Sequence, residues 1–151
     1  MKGKLYGIGI GPGDPELLTL KAVRLIREAD VIAVPGKVKT ETVAYQITVQ
    51  AVPEIAEKEC LEVYYPMSKD PEVLERCHTE AAMQIEAVLK EGKNVAFLTL
   101  GDTSVYSTYL YVHTKIMEMG YEAEIVSGIT SFCAVAARLN IGLTHPLLSY
   151  P

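Results

Sequence analysis

Apolar residues fall along this chain in short unbroken runs, separated by longer stretches in which they recur every three or four positions. The first run, Leu5 to Ile10 (LYGIGI), ends in glycines and reads as a strand. Behind it Leu18, Ala22, Leu25 and Ala29 recur at helical spacing. Asp14 suits the N-cap of that helix and Pro15 its first position, and Glu16 sits where the helix dipole favours negative charge. Val31 to Val34 (VIAV) is a second strand, stopped by Pro35-Gly36. Thr40 caps an expected helix that carries Val43, Ala44 and Ile47 and is broken at Pro53. Leu61 to Tyr65 (LEVYY) reads as a third strand. Asp70-Pro71-Glu72 repeats the earlier cap pattern, and the long helix behind it sets Leu74, Cys77, Ala81, Ile85 and Val88 on one face before Gly92 ends it. Asn94 to Leu100 is a fourth strand, followed by a helix from about Ser104 that carries Tyr109, Val112, Ile116 and Met119 as far as Gly120. Glu122 to Val126 is a fifth strand and Ser131 to Leu139 a last helix.

Strands that are nearly continuous apolar runs, each followed by a helix, predict an α/β fold. It is a doubly wound, five-stranded, mostly parallel sheet with helices on both faces. Residues 1–141 form one such domain without internal repeat or low-complexity run, and residues 142–151 read as a connector. At 151 residues, with 49% hydrophobic and 22% charged, the chain can bury a core and is not a disordered segment. Nineteen Asp and Glu against fourteen Lys and Arg give a net charge of −5, which argues against a general nucleic-acid binder. No apolar run approaches the roughly 18 residues of a membrane span, and the first residues lack the apolar region of a signal peptide. Three widely spaced cysteines without a CxxC suggest neither a disulfide framework nor a metal site, so a reducing, cytoplasmic setting is the default.

Open parallel sheets bind ligands beyond the carboxyl ends of their strands, so candidate chemistry is sought there. After the first strand comes Gly9-Ile10-Gly11-Pro12-Gly13-Asp14, which is neither the dinucleotide fingerprint nor a P-loop. It reads as a turn with an N-cap or as a close approach of backbone to a ligand. After the fourth comes Gly101-Asp102-Thr103-Ser104, which is either another cap or a carboxylate offered to hydroxyl or amino groups. After the fifth comes Ser127-Gly128-Ile129-Thr130-Ser131. Three small, polar strand ends in one sheet together suggest a small-ligand cleft. His78 reads as a solvated or half-buried side chain of its helix, His113 as a structural residue one position from the apolar stripe of its own, and His145 has no place in any pattern. Tyr106, Tyr109 and Tyr111 are expected on one helix behind the Gly-Asp turn, either packed or stacked on a planar ligand.

These segments resemble the tetrapyrrole methylase family. GIGPGDPELLTLKA, ending at Ala22, is similar to the family's opening motif almost residue for residue, and the Gly101-Asp102 turn and SGITS resemble its second and third motifs in the right order. The stretch GDTSVYSTYLYVHTKI is most similar to members that methylate C-20 of precorrin-2 or cobalt-factor II. The resemblance implies an S-adenosylmethionine-dependent C-methyltransferase of cobalamin biosynthesis, with two α/β domains and the cofactor in the cleft between them. Another tetrapyrrole methyltransferase of the family, or a non-catalytic flavodoxin-like module, are the alternatives.

Carried over residue by residue, the cofactor contacts fall on Pro12, Leu100, Gly101, Asp102, Thr103, Val105, Tyr106, Thr130 and Ser131. Gly11 and Gly13 lie on the side of the anionic tetrapyrrole substrate, and Asp14 matches an acidic position proposed as a proton acceptor. The implied assembly is a homodimer. On this resemblance residues 142–151 are the stump of a linker to a missing carboxyl-terminal domain, and the 151-residue piece is expected to show little or no activity by itself.

Overall fold

The computed structural model describes residues 1–66 and 68–147. Its strands are β1 (Lys4–Gly9), β2 (Val31–Pro35), β3 (Glu59–Val63), β4 (Val95–Thr99) and β5 (Glu122–Val126). They form one sheet in the order β3-β2-β4-β1-β5, with every neighbouring pair parallel. The helices are α1 (Leu20–Glu28), α2 (Val43–Ala51), α3 (Pro71–Leu89), α4 (Tyr109–Glu118) and α5 (Ser131–Leu139). The doubly wound parallel sheet expected from the sequence is what forms.

Successive strand side chains point to opposite faces, and here both faces are covered. On one face Ile8, Ile32 and Leu98 pack with Ala22 and Ile26 of α1 and Ala44 and Ile47 of α2. On the other, Leu5, Val31 and Phe97 pack with Ile85 and Leu89 of α3 and Val112 and Ile116 of α4. That double burial is why β2 and β4 read as unbroken apolar runs. Gly7 is what lets α4 seat closely: a Cβ there would come within 2.2 Å of the Tyr109 ring. Tyr109 packs against Phe97 at 5.1 Å and bonds through its hydroxyl to Nδ1 of His113 at 2.9 Å.

Several boundaries differ from expectation, each for a local reason. Asp14 caps only a 3-10 turn, Pro15–Leu17; Thr19 then caps α1, its hydroxyl accepting the Ala22 N–H. Thr42 rather than Thr40 stands at the N-cap of α2, behind a 3-10 turn at Lys39–Glu41. β3 lies two residues earlier than Leu61–Tyr65, paired Val31↔Glu59 with β2. Helix α4 begins at Tyr109, five residues past Ser104, because the intervening segment is held in turns. In α3 it is His78, not Cys77, that takes the buried place, at 6% exposure. Of the expected connector, residues 142–147 are exposed and residues 148–151 lie outside the described residues.

Candidate functional site

The three small strand ends meet at the carboxyl edge of β4, β1 and β5. Gly11 and Gly101 exchange main-chain hydrogen bonds at 2.8 and 3.2 Å, tying the loop after β1 to the turn after β4. Gly101 holds a φ of +66°, which glycine adopts without the steric cost of a Cβ. A Cβ on Gly128 would come within 2.2 Å of the Gly101 carbonyl, and one on Gly9 within 2.6 Å of the same oxygen. The three loops therefore interlock only because side chains are absent.

Asp102 clamps this corner. One carboxylate oxygen accepts the Gly128 N–H at 2.8 Å, and the other accepts the Ser104 N–H at 3.0 Å together with the Ser104 hydroxyl. The Ser104 hydroxyl, then the main-chain donors of Gly128 and Ser104, hold its carboxyl below the usual range. It is an internal tie as much as a group facing a ligand. Thr103 turns inward: it is fully buried, and its hydroxyl donates to the Gly7 carbonyl at 3.1 Å beside Thr99 at 3.2 Å. That burial removes its side chain from the cleft surface, so its place in the site is positional.

Around the clamp lie the remaining expected residues. Tyr106 is not on a helix; it stands in the turn at φ +53°, its ring fully exposed. Leu100 is half exposed and borders a recess of about 400 Å³ that also holds Lys37. Pro12, Gly13, Asp14 and Ser131 line a larger cleft, about 810 Å³, between the glycine loop and α5. Thr130 caps α5, its hydroxyl accepting the Cys133 N–H at 3.4 Å. Asp14 uses one oxygen to accept the Glu16 N–H at 2.9 Å. Sequence reasoning missed Arg138, a cation on the same wall as Asp14 and Ser131. Its position in the last turn of α5 is also where the helix dipole favours a basic residue, so nothing singled it out.

The described residues include no helix long and apolar enough to cross a membrane. The profile of the Tetrapyrrole (Corrin/Porphyrin) Methylases matches residues 4–149. The probable cobalt-precorrin-2 C(20)-methyltransferase of Methanocaldococcus jannaschii is 44% identical over 143 residues, 94% of this chain and 60% of that protein. The cobalt-precorrin-2 C(20)-methyltransferase of Salmonella typhimurium is 36% identical over 144 residues, 95% of this chain and 60% of that protein. The chain thus spans about three fifths of the length of these curated relatives. Among solved structures, uroporphyrin-III C-methyl transferase from Thermus thermophilus complexed with S-adenyl homocysteine aligns with a TM-score of 0.68 at 29% identity, covering 99% of this chain and 57% of that one.

Proposed function

The chain belongs to the tetrapyrrole (corrin/porphyrin) methylases, and on that premise we propose that it is the amino-terminal α/β domain of an S-adenosylmethionine-dependent methyltransferase acting on C-20 of precorrin-2 or cobalt-factor II in cobalamin biosynthesis. The observation on this chain that carries the reading is the interlocked corner, where Gly11 bonds Gly101 and Asp102 bonds Gly128. It gathers all three motif segments at one edge of the sheet. The two relatives named for C-20 methylation support that choice of carbon.

The residues present fit the cofactor. Leu100 and Val105 offer apolar surface, Gly101 offers main chain without a side chain, and Thr130 and Ser131 offer hydroxyls at the start of α5. When bound, S-adenosylmethionine supplies an already activated methyl group. The chain's task is then to hold and orient, and alignment of two reactants can supply roughly 7–11 kcal/mol of a barrier. Asp102 contributes by fixing the turn to the 127–128 loop, and Leu100 and Tyr106 leave exposed apolar surface at that edge for a ligand to cover. Asp14 keeps one oxygen unpaired among the described residues, and it is our candidate for accepting the proton that the methylated carbon gives up.

The substrate is a polycarboxylate and the chain is acidic, so attraction must be local. Arg138 in the larger cleft and Lys37 in the smaller recess are the cations placed for it. The same reading takes the complete enzyme as a cytoplasmic homodimer, with residues 142–151 leading to a second domain that closes the cleft. Equilibrium dialysis of the full-length protein against S-adenosylhomocysteine tests it: we expect binding, and absence of binding rejects the reading. The 151-residue chain alone is expected to show no normal turnover.

A further inference from the structure

A third cavity, about 730 Å³, opens at the other end of the same sheet edge. Its walls are the loop after β3 (Tyr65, Ser68, Lys69), the first turns of α3 (His78) and the start of α4 (Thr108, Tyr111). The wall is built of rings: His78 stacks on Tyr111 at 4.6 Å and 5°, and Tyr65 meets His78 edge-on at 5.9 Å. Most of the lining is apolar, yet several polar groups in it are unused. The Tyr65 hydroxyl is buried with no hydrogen-bond partner. Among the described residues neither ring nitrogen of His78 is hydrogen-bonded and the Lys69 ammonium has no ion pair. Burial lowers the affinity of His78 for a proton, so near neutral pH the ring is uncharged, with one N–H to give. The acid on this wall, Glu75, is already engaged by Lys115 of α4 at 2.5 Å.

Donors without acceptors, set in an apolar ring-lined wall beside a free ammonium, ask for an anion carried on a flat, apolar body. β3 lies three strand spacings from β1, about 14 Å by ordinary sheet geometry. A macrocycle seated over the β1 and β4 loops reaches that far with its acetate and propionate arms. We propose that this pocket is a subsite for a peripheral carboxylate of the tetrapyrrole, held by Lys69, Tyr65 and His78, and that it sets the orientation of the macrocycle over the glycine corner. The proposal rests on the function proposed above.

The test is titration of sirohydrochlorin into the full-length protein and its Lys69→Gln and Tyr65→Phe variants, beside titration of S-adenosylhomocysteine into the same three. Tyr65→Phe deletes a hydroxyl that bonds nothing, so this variant folds. The expected result is a roughly tenfold rise in the sirohydrochlorin Kd in each variant, with the S-adenosylhomocysteine Kd unchanged. The octamethyl ester of sirohydrochlorin, which lacks the carboxylates, binds all three proteins alike. An unchanged sirohydrochlorin Kd in both variants, with the wild type binding well, overturns the subsite alone. Failure of the wild type to bind sirohydrochlorin overturns the functional reading, and the subsite with it.

Discussion

Two corners of one sheet edge are built on opposite plans. At the corner of β4, β1 and β5, polar side chains are spent inside the protein: Asp102 on Gly128 and Ser104, Thr103 on Gly7 and Thr99. Its shape comes from missing side chains, three glycines packed main chain to main chain. At the β3 corner the shape comes from rings, and a buried tyrosine hydroxyl is left without a partner. Such a hydroxyl costs about 1–3 kcal/mol, which a ligand can return. The first corner fixes geometry and the second holds unspent binding capacity. A methyl transfer that works by alignment needs both a rigid reference and a handle on the substrate.

The contrast breaks most sharply at Gly128. Gly128→Ala puts a methyl group 2.2 Å from the Gly101 carbonyl and 2.7 Å from the Gly9 main chain. Backbone cannot yield as a flexible side chain does, so we expect a loss of about 3 kcal/mol or more, or no folding, in denaturant titration. A cost under about 1 kcal/mol would show that the corner is soft.

Asp102→Ala comes next. It strands the Gly128 N–H and should cost about 1–3 kcal/mol, with weaker S-adenosylhomocysteine binding in the full-length protein. The carboxyl titrates below its unfolded value near 3.8, so its contribution is complete above that pH and fades as pH falls through the lower folded value. Wild type and variant should therefore converge in stability in strong acid, and a gap that persists there contradicts the assignment.

Tyr65→Phe should act in the other direction at the second corner. Removing the unpaired hydroxyl is expected to raise stability by up to about 1 kcal/mol, read as a higher Tm. A lower Tm would mean that the hydroxyl is satisfied after all.

The smallest effect is a pH slope. Burial depresses the proton affinity of both His78 and His113, so the unfolded chain binds more protons. Stability should be full above the unfolded value of 6.5 and fall as pH drops below it toward the folded values. His78→Phe should flatten part of that slope, as denaturant midpoints from about pH 7.5 to about pH 5 would show.

The paired Asp-Pro-Glu signals show what the sequence made legible. Asp70-Pro71-Glu72 opens α3, 19 residues long, whereas Asp14-Pro15-Glu16 opens one 3-10 turn. The difference lies downstream: Thr19 offers a second cap, and its hydroxyl takes the Ala22 N–H. No such residue follows Asp70 before Thr79. The segment after Gly101 was harder, since Asp102, Thr103, Ser104, Ser107 and Thr108 all compete as caps. Tertiary contacts decided it: Asp102 reaches Gly128 26 residues on, and Thr103 reaches Gly7 96 residues back. Core strands were readable because burial on both faces writes itself as an apolar run. The β3 pocket was not, because its rings come from a loop and two helices and carry no local pattern.

The central proposal is that the complete enzyme positions a methyl donor for transfer to C-20. It is tested most directly by mass spectrometry and NMR of products from the full-length protein, with cobalt-sirohydrochlorin and metal-free precorrin-2 offered in parallel. We expect one added methyl group, at C-20, on one of the two substrates. Methylation at another carbon, or none on either substrate, would contradict the account.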